Sequence, residues 1–457
     1  MITESKSSGE KKEFSRRNFM RYGGLLVGGN LASNNGNRLP FTHAPEEDEP
    51  KIKRFKLLGR TGFKVSDIGM GNTRNKEVNV VRYVYNHGVN YIDTAESYQN
   101  STSEKIIGEA LKYMNRKKVF ITTKLHISER DTEQTILNRY RKCLARLDSD
   151  YFDALYIHNP GVVLLKHEGF HTAFKNLKRE GKVRFMGVSS HGGRSGRDDE
   201  MKNVLLSAVA DGRFDMMLMV YNFMNHKIAD EVISACREKN IGTTAMKTSP
   251  GVLKVAEFDP ENLTKQQKEY IQRFARRGRS KETALASLKK RIKKQKETYQ
   301  KTKPFIEKYG LKTAFDLRRT GIHWAMQNPE LHTVCVSFAD FDLVDKIIPL
   351  SGTQLSHVED AYLRDFKYTY DDQYCRHGCA DCNGSCPHDL PVSAIMRYAY
   401  YYEYQGGEKE AILKYARLDS RNASLCRNCD APCLSACPYQ LNVRTQLLQA
   451  HEMLTLA

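Results

Sequence analysis

Eight of the eleven cysteines in this 457-residue chain fall in two short runs near its end. The first is Cys375, Cys379, Cys382 and Cys386, followed by Pro387; the second is Cys426, Cys429, Cys433 and Cys437, followed by Pro438. Thiolates spaced this closely on one tight loop can reach several irons of a cubane, and a proline after the fourth turns the chain away. Four thiolates also satisfy zinc, but structural zinc sites usually join two separate Cys pairs rather than crowd four cysteines into one run. Disulfides are a third use, for which cysteine clusters ending in Cys-Pro make an unusual framework. Cys143, Cys236 and Cys335 are scattered upstream and read as core fillers.

Each run resembles the C-x2-C-x2-C-x3-C-P signature of bacterial ferredoxins, with one interval lengthened by a residue. In two-cluster ferredoxins the fourth cysteine of each run crosses to the other cluster. The resemblance therefore implies one [4Fe-4S] cluster on Cys375, Cys379, Cys382 and Cys437, and a second on Cys426, Cys429, Cys433 and Cys386. Between the runs, Leu390 to Tyr404 and Glu408 to Leu418 read as helices with Val392, Ile395 and Met396 as core. A small, mostly helical ferredoxin-like iron–sulfur domain is expected over residues 366–457.

Upstream, short β-branched runs alternate with longer helical patterns, the signature of parallel βαβ units. The runs are Val65 to Met70, Tyr91 to Asp93, Val119 to Lys124, Ala154 to His158, Val183 to Ser189, Met216 to Tyr221, Gly242 to Lys247 and Thr333 to Ser337. Eight such strands make a (β/α)8 TIM barrel, an α/β fold, over residues 51–365. Charged helical sequence at about 261–308 interrupts the pattern after the seventh strand and reads as a solvated insertion.

The string Asn90-Tyr91-Ile92-Asp93-Thr94-Ala95-Glu96-Ser97-Tyr98 resembles the signature that follows the second strand of aldo-keto reductases. Ser103 to Leu111, Phe120 to Lys124 and Tyr156 to Pro160 resemble that family's next helix, third strand and fourth strand in order. The resemblance places the family's catalytic tetrad on Asp93, Tyr98, Lys124 and His158. Reducing a carbonyl by hydride requires a proton for the oxygen as negative charge develops there. Tyr98 would be the acid, with Lys124 lowering its pKa, Asp93 holding Lys124, and His158 orienting the carbonyl.

On the cofactor side, Gly187-Val188-Ser189-Ser190 resembles the fifth-strand segment whose polar pair holds the nicotinamide amide, here Ser189 and Ser190. Tyr221, and Ser337 at the end of the eighth strand, stand where further cofactor contacts fall. Leu218 replaces the glutamine common three residues before that tyrosine, and Ser337-Phe338-Ala339-Asp340 lacks the family's grip on an adenosine 2′-phosphate, so NAD and NADP both remain open.

At the N-terminus, Ser15-Arg16-Arg17-Asn18-Phe19-Met20 and the glycine-rich apolar stretch to Ala32 resemble a twin-arginine signal, with a linker to residue 50. That implies a folded, cluster-loaded protein carried by the Tat translocase to the periplasm or otherwise exported. No apolar run approaches the roughly 20 residues needed to cross a bilayer. The net charge is +18, yet Thr264 to Thr320 alone holds 19 Lys or Arg against 5 Asp or Glu, which places the excess on the insertion and argues against a nucleic-acid partner. The expected function is NAD(P)H-linked interconversion of a small carbonyl compound and its alcohol, with a redox partner for the clusters. The alternative is an iron–sulfur relay that has lost its nicotinamide site and draws electrons from an external, possibly membrane-bound, donor. The basis for that alternative is that hydride carries two electrons and each cluster one, with no flavin fingerprint to divide them.

Overall fold

The computed structural model describes residues 50–71, 76–193, 200–250 and 259–455, apart from short gaps at 265–266, 269–270, 273–274, 276–277, 279, 312–313 and 405–407. The twin-arginine motif and its linker lie outside the described residues. Among the described residues no helix is long and apolar enough to cross a membrane.

Strands β1 (Phe55–Leu57) and β2 (Lys64–Ser66) pair antiparallel, with Lys56 opposite Val65. Eight parallel strands then close a barrel: β3 (Ile68–Gly71), β4 (Tyr91–Asp93), β5 (Phe120–Leu125), β6 (Phe152–His158), β7 (Val183–Ser190), β8 (Met216–Val220), β9 (Gly242–Met246) and β10 (Thr333–Val336). Closure comes from β10 pairing with β3, Val334 beside Ile68 and Val336 beside Met70. The expected first strand, Val65 to Met70, is thus two strands of different sheets. Asp67 breaks it, because its carboxylate accepts from the Ser351 hydroxyl (2.7 Å) and the Gly352 amide (3.0 Å) and bends the chain there.

The hairpin sits under the barrel, where Leu58 and Val65 join Tyr91, Phe120, Tyr156, Met216 and Leu218 in one buried cluster. Bulky rings on β4 and β6 demand small neighbours: a Cβ on Gly187 would stand 2.5 Å from the Tyr156 ring. The surrounding helices are amphipathic. The helix Glu168–Arg179 buries Phe170, Ala173, Phe174 and Leu177, the i, i+3, i+4, i+7 stripe of a helix lying on a sheet.

The charged insertion forms a helix, Lys281–Tyr309, capped by Ser280, whose hydroxyl accepts from the Thr283 amide (3.2 Å). It is not simply solvated, as its charge suggested. Ala284, Leu288 and Ile292 recur every four residues, are almost fully buried, and pack with Leu390, Ile395 and Tyr398 of the cysteine-rich segment. Nearer its end, Phe305 stacks on Tyr362 (5.1 Å between centroids) and meets Phe366 edge-on. In the cysteine-rich segment, helices run over Val392–Tyr404, Glu408–Ala416 and Val443–Leu454. Barrel and cysteine-rich segment belong to one compact unit.

Candidate active site

Parallel strands of a barrel end at one rim, and the residues there face a shared mouth. Asp93 and His158 end β4 and β6, and Lys124 is the penultimate residue of β5. All three are almost fully buried. The Lys124 ammonium donates to Asp93 Oδ2 (2.6 Å), to the Thr94 carbonyl (2.6 Å) and to the Tyr98 hydroxyl oxygen (3.3 Å), which uses its three protons. The other Asp93 oxygen accepts from the Thr122 hydroxyl (2.7 Å). His158 meets the Tyr98 ring edge-on at 5.7 Å and stacks on His126 at 3.9 Å.

Tyr98 is carried by a strained loop. Gln99, Asn100 and Ser101 all have φ between 53° and 67°, a region that side chains rarely adopt. The strain is held by the Ser101 hydroxyl donating to the Glu96 carbonyl (2.8 Å) and the Thr102 hydroxyl donating to the Gln99 carbonyl (2.7 Å). Beneath the loop, fully buried Glu104 accepts from the Thr123 hydroxyl and from Arg146, both at 2.6 Å, which ties the following helix to β5.

Burial pushes the Tyr98 hydroxyl well above the ordinary tyrosine value, and the Asp93 charge adds to the rise. The Lys124 ammonium, expected to lower it, stands 3.3 Å from the Tyr98 oxygen. His158 is pushed well below the usual histidine range by burial first, then by His126 and Lys124, so its ring is neutral at pH 7. Its Nδ1 is buried without a hydrogen-bond partner.

The four expected cofactor positions do not converge equally. Ser189 lies beside His158 in the β6–β7 register, and its buried hydroxyl has no partner. The Ser190 oxygen accepts from the Gly192 amide (3.3 Å). The Tyr221 ring stacks on Trp324 (5.2 Å) and its oxygen accepts from Asn328 (2.9 Å). The Ser337 carbonyl accepts from Arg318 (3.2 Å).

The cysteine-rich segment docks on this rim. Arg397 donates to the His191 carbonyl (3.2 Å) and the Gly193 carbonyl (3.3 Å), and Asn225 donates to the His377 carbonyl (3.1 Å). Asn222 donates to the Tyr374 hydroxyl (3.3 Å). The backbones approach so closely that a Cβ on Gly378, itself at φ 94°, would lie 2.9 Å from Met201 Cβ. The segment encloses two small cavities of about 20 and 10 Å³. Cys375, Cys379, Cys382 and Cys437 line the first, and Cys386, Cys426, Cys429 and Cys433 line the second. All eleven cysteines are free thiols. Among the described residues no three His, Cys, Asp or Glu side chains converge tightly enough to ligate a single metal ion.

The sequence model of the Aldo/keto reductase family matches residues 58–366. The chain belongs to the aldo/keto reductase family. Curated relatives include a probable aldo-keto reductase of Glycine max, 28% identical over 40% of this chain and 56% of that protein, and the L-galactose dehydrogenase of Arabidopsis thaliana, 26% identical over 41% and 63%. The chain thus spans between half and two-thirds of the length of these relatives. Among solved structures, the holo form of an aldo-keto reductase from Bacillus halodurans aligns with a TM-score of 0.49 at 19% identity, over 69% of this chain and 96% of that one.

Two features of this aldo/keto reductase rim escaped the sequence reading. His126, two residues beyond Lys124, stacks on His158, and its place just past a strand end was the available signal. Lys247 follows the last residue of β9, and its ammonium lies 5.5 Å from the Tyr401 ring centroid. No sequence signal ties Lys247 to Tyr401, because that contact spans two domains.

Proposed function

We propose that this chain is an oxidoreductase that interconverts a carbonyl compound and its alcohol at Tyr98 and His158, with NADP or NAD as hydride carrier, and that its C-terminal segment holds two [4Fe-4S] clusters. The observation that carries the catalytic part is the Lys124 ammonium, fixed between Asp93 and the Tyr98 oxygen. Because Lys124 donates to that oxygen, the phenol keeps its own proton for a carbonyl. Burial keeps Tyr98 protonated at neutral pH, so the acid is loaded when substrate binds. As charge develops on the carbonyl oxygen the proton passes to it, and the phenolate left behind is stabilised by Lys124. Neutral His158 offers an N–H to the same oxygen without adding a charge.

A bound nicotinamide would supply the hydride that reaches the carbonyl carbon. Ser189, whose buried hydroxyl lacks a partner, and Ser190 are the residues suited to hold its amide. Tyr221 and Ser337, just beyond β8 and β10, are further contacts suited to the cofactor. For the clusters, the donor set fits: each cavity is lined by three cysteines of one run and the fourth of the other, the crossed grouping of two-cluster ferredoxins. A lone zinc ion would instead need sulfurs about 3.8 Å apart, given Zn–S bonds of about 2.3 Å. Bound clusters would accept and release single electrons, to a redox partner or to the site.

A second reading is favoured by the docking of Tyr374, His377 and Arg397 on the strand ends beside Ser189 and Ser190. That contact crowds the cofactor side, and an exported enzyme would meet little free NADPH. In this reading the nicotinamide site is lost and electrons reach the barrel from an external donor through the clusters. The twin-arginine-like N-terminus supports export of the folded protein. The test is iron and sulfide content of anaerobically purified protein, with an optical titration by NADH and NADPH. About eight irons with nicotinamide binding supports the first reading, eight irons without binding supports the second, and absence of iron and sulfide sinks the cluster assignment.

A further inference from the structure

Arg376 follows Cys375 in the first run and is only 1% exposed. Its guanidinium is pinned at the far end: one terminal nitrogen donates to the Asp371 and Tyr374 carbonyls, and the other to the Asp371 carboxylate. The central carbon lies over the Tyr439 ring, 3.8 Å from its centroid. One donor is left, the Nε–H, which is buried without a hydrogen-bond partner among the described residues. Arg376 and Tyr439 both line the cavity of Cys375, Cys379, Cys382 and Cys437. A buried N–H of a charged group is costly to leave unpaired, and a group that fills the cavity offsets that cost if it brings acceptors. Asp381 also lines this cavity and accepts from the Cys379 thiol (3.1 Å), but it is exposed, and water weakens its charge. The second cavity is built differently. Its arginine, Arg444, donates Nε to the Cys426 carbonyl (3.0 Å) and a terminal nitrogen to the Arg427 carbonyl (2.7 Å). Among the described residues, no side chain lining that second cavity has a buried polar atom without a partner.

We propose that the Arg376 Nε–H donates to a sulfur of the cluster held by Cys375, Cys379, Cys382 and Cys437, and makes that cluster easier to reduce than the one held by Cys386, Cys426, Cys429 and Cys433. This rests on the cluster reading proposed above and gives its two sites different potentials. A hydrogen bond to a cluster sulfur offsets the negative charge that an added electron brings, so it raises the potential. The Asp371 carboxylate pairs with the guanidinium, so the directed N–H, more than net charge, distinguishes the first site from the second. The donor is fixed in advance, because Asp371, Tyr374 and Tyr439 hold the guanidinium in one orientation. Residues flanking Arg376 also dock the segment on the barrel, with Asn222 donating to the Tyr374 hydroxyl (3.3 Å) and Asn225 to the His377 carbonyl (3.1 Å). Val392 lines both cavities, which makes the two sites neighbours. An electron shared between them therefore rests at the site on the barrel side.

The test is a redox titration of full-length, cluster-loaded protein, purified anaerobically and followed by electron paramagnetic resonance. The unmodified protein should show two separate one-electron steps, and the variant with Cys375→Ser and Cys437→Ser should retain only the lower one. Arg376→Lys keeps a positive charge beside Asp371 but has no Nε–H. It should lower the higher step by about 59 mV or more, the one-electron equivalent of a tenfold fall in the equilibrium constant, and leave the lower step in place. Arg444→Lys should leave the higher step unmoved. Equal potentials in the unmodified protein, or a higher step that Arg376→Lys does not lower, would each overturn the role of Arg376. If Arg376→Lys fails to retain iron, unmodified protein grown on arginine carrying nitrogen-15 at Nε decides. At a potential where only the first cluster is reduced, pulsed resonance should resolve a coupled nitrogen-15, and an uncoupled spectrum overturns the hydrogen bond. Either overturning result in protein with about eight irons keeps the cluster reading and removes only the role of Arg376. Unmodified protein without iron and sulfide removes the cluster reading itself, and the role of Arg376 with it.

Discussion

The Asp93 carboxylate and the Lys124 ammonium stand 2.6 Å apart with almost no exposure to solvent. Removing one charge of a buried pair strands the other, at about 3–5 kcal/mol. Asp93→Asn should therefore lower the melting temperature by several degrees as well as abolish most carbonyl turnover. Circular dichroism melts beside steady-state rates check this, and an unchanged melt would show that the pair is not closed to water.

Tyr98→Phe should separate chemistry from folding. It removes the acid and the longest of the three Lys124 hydrogen bonds, while Lys124 keeps Asp93 and the Thr94 carbonyl. A fall in kcat of roughly 10²- to 10⁴-fold with a melt shifted far less than in Asp93→Asn is expected. Since burial holds the Tyr98 hydroxyl well above its usual value, the unmodified enzyme should show no loss of this acid between pH 7 and 9.

Acid should destabilise the fold through its neutral histidines. Burial holds His158 and His191 well below the ordinary value near 6.5. The unfolded chain takes up these protons first, so stability is full above about pH 6.5 and declines as pH falls. Denaturant midpoints at pH 7.5 and 5.5 measure the decline, and His191→Gln should make it shallower.

The two cysteine cavities predict which pairs of ligands act together. Cys375→Ser with Cys437→Ser removes two cysteines of one cavity and should leave about four irons. Cys375→Ser with Cys426→Ser touches both cavities and should leave almost none. Loss of nearly all iron from both double variants would mean that the runs do not cross.

Leu288→Ala removes a side chain buried between the insertion helix and the cysteine-rich segment. A loss of about 2–4 kcal/mol is expected at that seam. Limited proteolysis should cut near residues 366–374 sooner than in the unmodified protein, while the barrel core resists.

Seven of the eight barrel strands were legible to within two residues at each end, because apolar runs bounded by turns have few other uses. The eighth failed at Asp67, whose bend is set by Ser351 and Gly352, nearly three hundred residues away. The Asp93, Tyr98, Lys124 and His158 group was legible through family order, and the geometry brings all four together. The setting of Tyr221 was not legible, because Trp324 and Asn328, distant in the sequence, hold its ring and oxygen. The stripe Ala284, Leu288, Ile292 was present to be read, but the surrounding lysines and arginines masked it.

The insertion helix belongs to the barrel by chain order, between β9 and β10, yet its apolar stripe is completed by residues that follow the barrel. The insertion helix and the cysteine-rich segment therefore depend on each other: either piece alone would leave an apolar face in water.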